Sequence, residues 1–331
     1  MSEKILTIII PVYNGMEHIK RAVKSVYAQD FTESIELILI NDGSNDESFD
    51  IIKTISRKAP SNIDVKIKNE VNHGVSYTRN MGLDLANGRY IMFMDQDDFI
   101  AKDYVRKYIE AVSDGNYDIV VGGYERVNSK GKILVRIAPQ DTLWSHYLVP
   151  APWAHIYRRD FLKKYNIHFA DEGIGEDIYF NLTAISHTKN IRAIAYTGYK
   201  WFYNENSVSN SKQNTINDKV NPLSLINSIY NDSTDDFKLS INTEYFMARY
   251  VCWYMLFASR GSKRSDIRDR FNELHGWLDK HYPNYIKNRY IGLKCMPGEI
   301  RKYHMFVIVY YTLFKLHLML PVLLLFGKKD K

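Results

Sequence analysis

Sulfur chemistry is nearly absent from this chain: 331 residues carry two cysteines, Cys252 and Cys295. They form no disulfide framework and have no metal-ligand spacing. One bridge is open in principle, and two free thiols in a reducing compartment is the reading the count favours. A secretory leader is not expected either, because the apolar run Ile5–Ile10 is too short for an h-region and has no cleavage site after it. There is no internal repeat and no low-complexity tract. Charge is not one-sided: the net value of +6 is too mild to call for nucleic acid, and no such partner is expected. It does favour anionic substrates or an anionic membrane surface.

What is present is the composition of a folded protein, 45% hydrophobic and 25% charged, long enough for one large domain or two. Tyrosine is abundant at 25 copies, a residue that buries a ring and keeps a polar tip.

The first half alternates strand and helix signals. Ile5 to Val12 reads as a buried strand closing on the turn Pro11-Val12-Tyr13-Asn14-Gly15. Ile19, Ala22, Val23, Val26 and Tyr27 then fall on one helix face. Glu36 to Ile40 is a second strand, closing on Asn41-Asp42-Gly43-Ser44, and Ser44 with Glu47 has capping-box spacing for a helix carrying Ile51, Ile52 and Ile55. Ile63 to Ile67 is a weaker third strand, Gly74 to Ala86 a helix, and Tyr90 to Met94 a fourth strand. Four such alternations predict an α/β fold with a parallel sheet covered on both faces. Ligands of such sheets gather beyond the carboxyl ends of the strands, where Pro11–Gly15, Asn41–Ser44 and Asp95–Asp98 all lie.

The last of these clusters is the most informative. Asp95-Gln96-Asp97-Asp98 directly follows a buried-strand pattern, and so much negative charge cannot stay in a core unpaired. In an extended chain Asp95 and Asp97 point to one side, a spacing that suits two oxygen ligands on a hard divalent ion; a solvated acidic turn fits the same residues. Arg79, near the start of the Gly74–Ala86 helix, adds a cation that with backbone N–H groups suits a phosphate, although an ordinary salt-bridge arginine fits equally.

Taken together, Pro11-Val12-Tyr13-Asn14, Asn41-Asp42-Gly43-Ser44, the Gly74–Gly82 helix start and Asp95-Gln96-Asp97-Asp98 resemble the family 2 glycosyltransferases over about the first 210 residues. The resemblance implies a GT-A fold, a Rossmann-like mostly parallel sheet flanked by helices, and inverting use of a nucleotide sugar, usually a UDP-sugar. It also implies roles. Pro11, Val12 and Tyr13 lie against base and ribose, Asp42 hydrogen-bonds the base, and Arg79 contacts the donor. Gln96 belongs to the donor-binding loop, and Asp95 and Asp97 hold Mn2+ or Mg2+ on the diphosphate. Asn41 stands where the family has an aspartate. Asp118–Tyr124 reads as a further strand, and the segment Pro152–Leu162 matches a family motif, with His155 where lysine is common. Glu176-Asp177 matches the pair whose aspartate is the general base, with Glu176 as its supporting group; two helix N-terminal carboxylates are the structural alternative. Trp201–Ser209 resembles the loop that closes over the donor, without its arginine.

Beyond about residue 215 the resemblance fades. Tyr245 to Phe257 reads as a packed helix with Cys252 in the core, and Arg260 to Arg270 as a charged, solvated stretch. Met305 to Phe326 is a long apolar run interrupted by Thr312, Lys315, His317 and Pro321. At about 1.5 Å per residue it could cross a bilayer, but Lys315 and Pro321 oppose a straight span. As one helix it would gather Arg301, His304, Thr312 and Lys315 on a narrow basic face, suited to lying in an anionic membrane interface; a core or dimer helix fits too.

The expectation is therefore a catalytic domain over 1–214 and a mainly helical region over 215–331, with 301–331 membrane-associating. Its function would be metal-assisted transfer of a sugar, of hexosyl or N-acetylhexosaminyl type, to a glycan or lipid-linked acceptor in surface polysaccharide synthesis. Its place would be cytoplasmic, peripheral on the inner face of the cell membrane. A catalytically silent sugar-nucleotide-binding subunit is one alternative, opposed by the intact Asp97 and Asp177. A nucleotidyltransferase is another, opposed by the absence of a Gly-rich loop with lysine at Pro11–Gly15.

Overall fold

Strand β1 (Leu6–Val12) is an interior strand of a seven-stranded sheet, with six of its seven side chains buried because both faces are covered. The structure, a computed structural model, describes residues 4–170, 175–203, 215–216 and 221–328. The chain divides into two compact units, Met1–Asp171 with Glu176–Asn204, and Glu172–Gly175 with Glu205–Lys331.

In the first unit, α1 (Ile19–Tyr27), β2 (Ile35–Asp42), α2 (Ser48–Ser56), β3 (Ile63–Glu70), α3 (Val75–Leu85) and β4 (Tyr90–Phe93) follow the predicted alternation. Strands β1 to β4 are parallel. The register pairs Val12 with Asn41 and Ile9 with Phe93, so the turns after β1, β2 and β4 open at one end of the sheet. At the other end Glu36, 1% exposed, takes hydrogen bonds from Thr7 and Asn87 and an ion pair from Lys66. A carboxylate inside an apolar strand is tolerated only with that many partners.

The remaining elements of this unit are β5 (Phe99–Ile100), α4 (Tyr104–Asp114), β6 (Ile119–Val121), β7 (Tyr124–Val127), β8 (Ile133–Ile137), α5 (Ser145–Leu148), β9 (His155–Arg158), α6 (Arg159–Lys164), α7 (Glu176–Ser186), β10 (Ile191–Ala193) and β11 (Tyr199–Phe202). The main sheet runs β10-β6-β9-β4-β1-β2-β3. It is mostly parallel, as expected, with β9 lying antiparallel between β4 and β6. A second sheet of four strands runs β5-β11-β7-β8. The run Asp118–Tyr124, read as one strand, is split between the two sheets at Gly122-Gly123. There Gly123 donates to the Tyr196 carbonyl at 2.7 Å, and a Cβ on Gly123 would meet the Ile137 carbonyl oxygen at 1.9 Å. Helix α2 likewise starts at Ser48 and not behind a Ser44 cap, because the Ser44 hydroxyl is engaged elsewhere.

The second unit is helical: α8 (Pro222–Asp232), α9 (Asp235–Lys238), α10 (Ile241–Ala258), α11 (Arg264–His281), α12 (Arg301–Lys315) and α13 (Met319–Phe326). Cys252 is buried on α10 as expected, and both cysteines are free. The stretch Arg260–Arg270 is not simply solvated, since α11 begins within it and buries Ile267. Met305–Phe326 is not one helix. His317, at φ 58°, breaks it, and α12 and α13 meet at 114°. Pro321 falls in the first turn of α13, where its missing N–H costs nothing. His304 also leaves the expected basic face, being buried with its ring Nε2 2.9 Å from the Tyr290 carbonyl. No single helix among the described residues is long and apolar enough to cross a membrane.

Candidate active site

The turn after β1 is stapled to the turn after β2. Asn14 N–H donates to the Ser44 hydroxyl at 3.0 Å, Asn45 N–H to the Asn14 side-chain oxygen at 2.8 Å, and Gly15 N–H to the Ser48 hydroxyl at 2.8 Å. From the turn after β4, Gln96 grips Tyr13 at two points, accepting from its N–H at 2.9 Å and donating to its carbonyl at 2.8 Å. The amide of Gln96 thus shapes the floor of the site. Tyr13 is left 44% exposed and Pro11 partly so, whereas Val12 is 1% exposed. The Val12 side chain is turned into the core, leaving Tyr13 and Pro11 as the more exposed side chains of this turn.

Asp42, at the end of β2, directs both carboxylate oxygens at backbone: His73 N–H at 2.8 Å and Gly74 N–H at 3.0 Å. It holds the β3–α3 turn, where Gly74 adopts φ 92°. One turn into α3, the Arg79 side chain is almost wholly buried against the Phe169 ring, and it bridges two carboxylates. Its Nη2 lies 3.0 Å from Asp95 Oδ1, and its Nη1 lies 3.1 Å from Glu176 Oε1. Asn80 fixes the Phe169 backbone by a reciprocal pair of 2.8 Å hydrogen bonds. Phe169 stacks on Phe180 of α7 at 4.1 Å. This aromatic floor carries the first turn of α7, with Glu176 and Asp177, to the guanidinium.

Asp177 follows Glu176 and is partly exposed. Removal from water first, then the Glu176 charge, pushes its carboxyl up to about 7, against the pull of Arg79. Asp98 is fully buried; it accepts from the Tyr199 hydroxyl at 2.5 Å and from Phe202 N–H at 2.8 Å. Burial, then the charges of Asp95 and Asp97, hold its carboxyl well above the ordinary range. The Tyr199 oxygen also accepts Asp95 N–H at 3.2 Å. Arg21, its guanidinium 4.0 Å from the Phe202 ring centroid, donates to the Asp97 carbonyl at 2.5 Å. The acidic turn is therefore fixed from three sides by Gln96, Tyr199 and Arg21.

The structure thus brings Arg79, Asp95, Glu176 and Asp177 together, with Asp97 and Asp98 on the same turn as Asp95. Gly173, Ile174 and Asn204 to Ser209 lie outside the described residues. Trp153 is 7% exposed and stacks on Tyr199 at 4.8 Å, and His155 is buried with its Nδ1 2.9 Å from the Trp153 carbonyl. Sequence reasoning missed Tyr199 and Arg21, which have no spacing signal; each is an ordinary strand or helix residue until the fold places it.

Could these residues hold a divalent metal? Among the described residues no group of three or more His, Cys, Asp and Glu forms a ready-made centre. The acidic turn nevertheless fits an ion completed by phosphate oxygens: Asp95 and Asp97 are hard oxygen donors, both partly exposed. The carboxylates of Asp95, Asp97, Asp98, Glu176 and Asp177 outnumber the guanidiniums of Arg21 and Arg79 beside them. Burial first, and then that excess of negative charge, raises the carboxyls of Asp98 and Asp177.

The chain is similar to known proteins over this region. YibD of Escherichia coli, a glycosyltransferase, is 26% identical over 224 residues, covering 62% of this chain and 63% of YibD. The poly(ribitol-phosphate) beta-N-acetylglucosaminyltransferase TarS of Staphylococcus aureus is 26% identical over 199 residues, covering 58% of this chain and 34% of TarS. This chain thus spans less than two thirds of either relative. A crystal structure of TarS residues 1-349 in complex with UDP-GlcNAc superposes with a TM-score of 0.60 at 17% identity, over 89% of this chain and 95% of that one, which establishes the GT-A fold. Residues 7–172, half of the chain, match the family model Glycosyl transferase family 2, and the protein belongs to that family.

Proposed function

We propose that this glycosyltransferase transfers a sugar, with inversion, from a UDP-sugar to a hydroxyl of a glycan or lipid-linked acceptor. The observation that carries the reading is Arg79, which holds the acidic turn and the first turn of α7 on one guanidinium. Asp177 is the general base. A carboxyl poised near 7 takes the proton of the acceptor hydroxyl while that oxygen bonds to the anomeric carbon and the bond from that carbon to the diphosphate oxygen breaks. Glu176 and Arg79 orient it. Asp95 and Asp97 would hold Mn2+ or Mg2+, which when bound offsets the charge of the departing UDP. Tyr13, exposed beside Pro11, supplies a ring for the uracil, and Asp42 orders the backbone around it.

TarS supports UDP as the nucleotide and an N-acetylhexosamine as the sugar; its action on poly(ribitol phosphate) supports a polymer as acceptor. The location we propose for the reaction is the cytoplasm, at the inner face of the membrane. The test is UDP release with Mn2+ across a panel of UDP-sugars, for the wild type and Asp177→Asn. Metal-dependent release by the wild type, lost in Asp177→Asn with donor affinity retained, is expected. Release equal in both would remove Asp177 as base, and release from neither would favour a silent binding subunit.

A further inference from the structure

The helical unit leaves an apolar face uncovered. Helix α12 turns Val307, Tyr310 and Tyr311 inward, while Met305, Phe306, Val309 and Leu316 form an exposed stripe on its other flank. After the break, α13 adds Leu325 and Phe326, 77% and 59% exposed. Both helices are tied to the same segment, Trp253 to Gly261. The Phe306 ring lies 5.5 Å from Trp253 of α10, which stacks at 5.5 Å on the exposed Phe257. The Arg260 guanidinium lies 5.2 Å from the Phe257 ring. Helix α13 packs on the turn Ser259–Gly261, and Arg264 Nε donates to the Leu324 carbonyl at 3.0 Å. A contiguous exposed apolar patch of this kind marks an interaction surface.

The charges choose the occupant. From Ile300 to Lys328 the sequence has no Asp or Glu, while Arg301, Lys302, Lys315 and Lys328 are all exposed. A second copy laid on this face would set those cations against their own equivalents. An anionic surface would not. Aromatic rings and cations bordering aliphatic side chains are the chemistry of the headgroup boundary, and the 114° bend limits insertion to shallow depth.

We propose that α12, its bend and α13 form a docking face for an anionic lipid bilayer, with Phe306, Leu316 and Phe326 entering the acyl boundary and Lys302 and Lys315 meeting headgroup phosphates. This deepens the membrane location proposed above and is independent of the transfer chemistry. The test is co-sedimentation of the full chain with vesicles of equimolar phosphatidylglycerol and phosphatidylcholine, against pure phosphatidylcholine. The wild type should partition at least tenfold more onto the anionic vesicles. Lys302→Gln with Lys315→Gln should lower that partition well over tenfold, at roughly fivefold per cation near the surface. The triple variant Phe306→Ser, Leu316→Ser, Phe326→Ser should lose binding although its circular dichroism is unchanged. All the altered side chains are exposed, so UDP release in solution should be unaffected. Equal partition of the wild type and triple variant would overturn the proposal. So would a wild-type dimer in sedimentation velocity that the triple variant dissolves, without vesicle binding. If no protein released UDP yet vesicle binding followed this order, the transfer reading would fall and the docking face would stand.

Discussion

Arg79 Nη1 sits 3.1 Å from Glu176 Oε1 across 97 positions of sequence, while its Nη2 holds Asp95. A buried guanidinium between two carboxylates cannot be removed without stranding charge. Arg79→Ala should therefore lower stability by about 3–5 kcal/mol, the usual cost of breaking a buried pair from one side. Arg79→Lys keeps the charge but cannot reach both partners in a planar fork. It should fold close to normally, lose at least tenfold in kcat/KM, and show a smaller change in donor affinity. Denaturant titration and UDP release measure the two quantities; full activity in Arg79→Lys would show that the bridge has no part in the reaction.

Asp177 gives a pH signature in both rate and stability. As a base it must be ionised, so kcat/KM should rise tenfold per pH unit below about 7 and level off above it. For stability the sign is the reverse of an ordinary salt-bridged aspartate. Its folded value lies above its unfolded one, so between roughly pH 4 and 7 the native state binds more protons than the unfolded chain, and stability falls as pH rises through that window. Asp177→Asn removes the penalty. It should be more stable than the wild type at pH 8, by on the order of 1–3 kcal/mol after allowance for partial exposure, and equal to it near pH 4. Its transfer rate should fall at least a thousandfold. Thermal melts at the two pH values, paired with the rate profile, check both.

How much of this was legible beforehand follows from what periodicity can carry. The runs Ile5–Val12 and Glu36–Ile40 announced buried parallel strands, and alternation placed Tyr13, Asp42 and Asp95 at one sheet end, because parallel strands leave their carboxyl ends together. Linear pattern does not encode strand order, so the antiparallel β9 and the second sheet were invisible, and Gly122-Gly123 read as strand until the backbone crowding at Ile137 was seen. Arg79 and Glu176 were legible as motif members, not as partners. The grip of the Gln96 amide on Tyr13 was not legible either, since the two lie 83 positions apart. The C-terminal run announced an interruption at Pro321, but the break falls at His317, since a left-handed histidine has no compositional signature.

Tyr199 tests whether the acidic turn is held from outside. Its hydroxyl donates to buried Asp98 and accepts Asp95 N–H, so Tyr199→Phe removes one atom and leaves two buried groups short of a partner. A stability loss of about 1–3 kcal/mol is expected. Because Asp95 and Asp98 flank Asp97, the Mn2+ concentration needed for half-maximal UDP release should rise severalfold, while affinity for UDP in chelator stays constant. A variant that loses stability with an unchanged metal requirement would make Tyr199 a packing residue alone.

Asp97 separates the metal from the nucleotide. It stands on the acidic turn with its backbone carbonyl tied to Arg21, an anchor that does not depend on its side chain. Asp97→Asn should keep the wild-type melting temperature to within a degree or two, since the side chain is partly exposed. In the wild type, Mn2+ should raise UDP affinity at least tenfold over chelator, because the ion links carboxylate to diphosphate. In Asp97→Asn the two conditions should converge on the chelator value, uracil contacts at Tyr13 alone remaining. Calorimetric titration of UDP with and without Mn2+ reads this directly. A metal-dependent gain that survives in Asp97→Asn would place the ion on other oxygens, and with it the diphosphate away from Arg79 and Asp177.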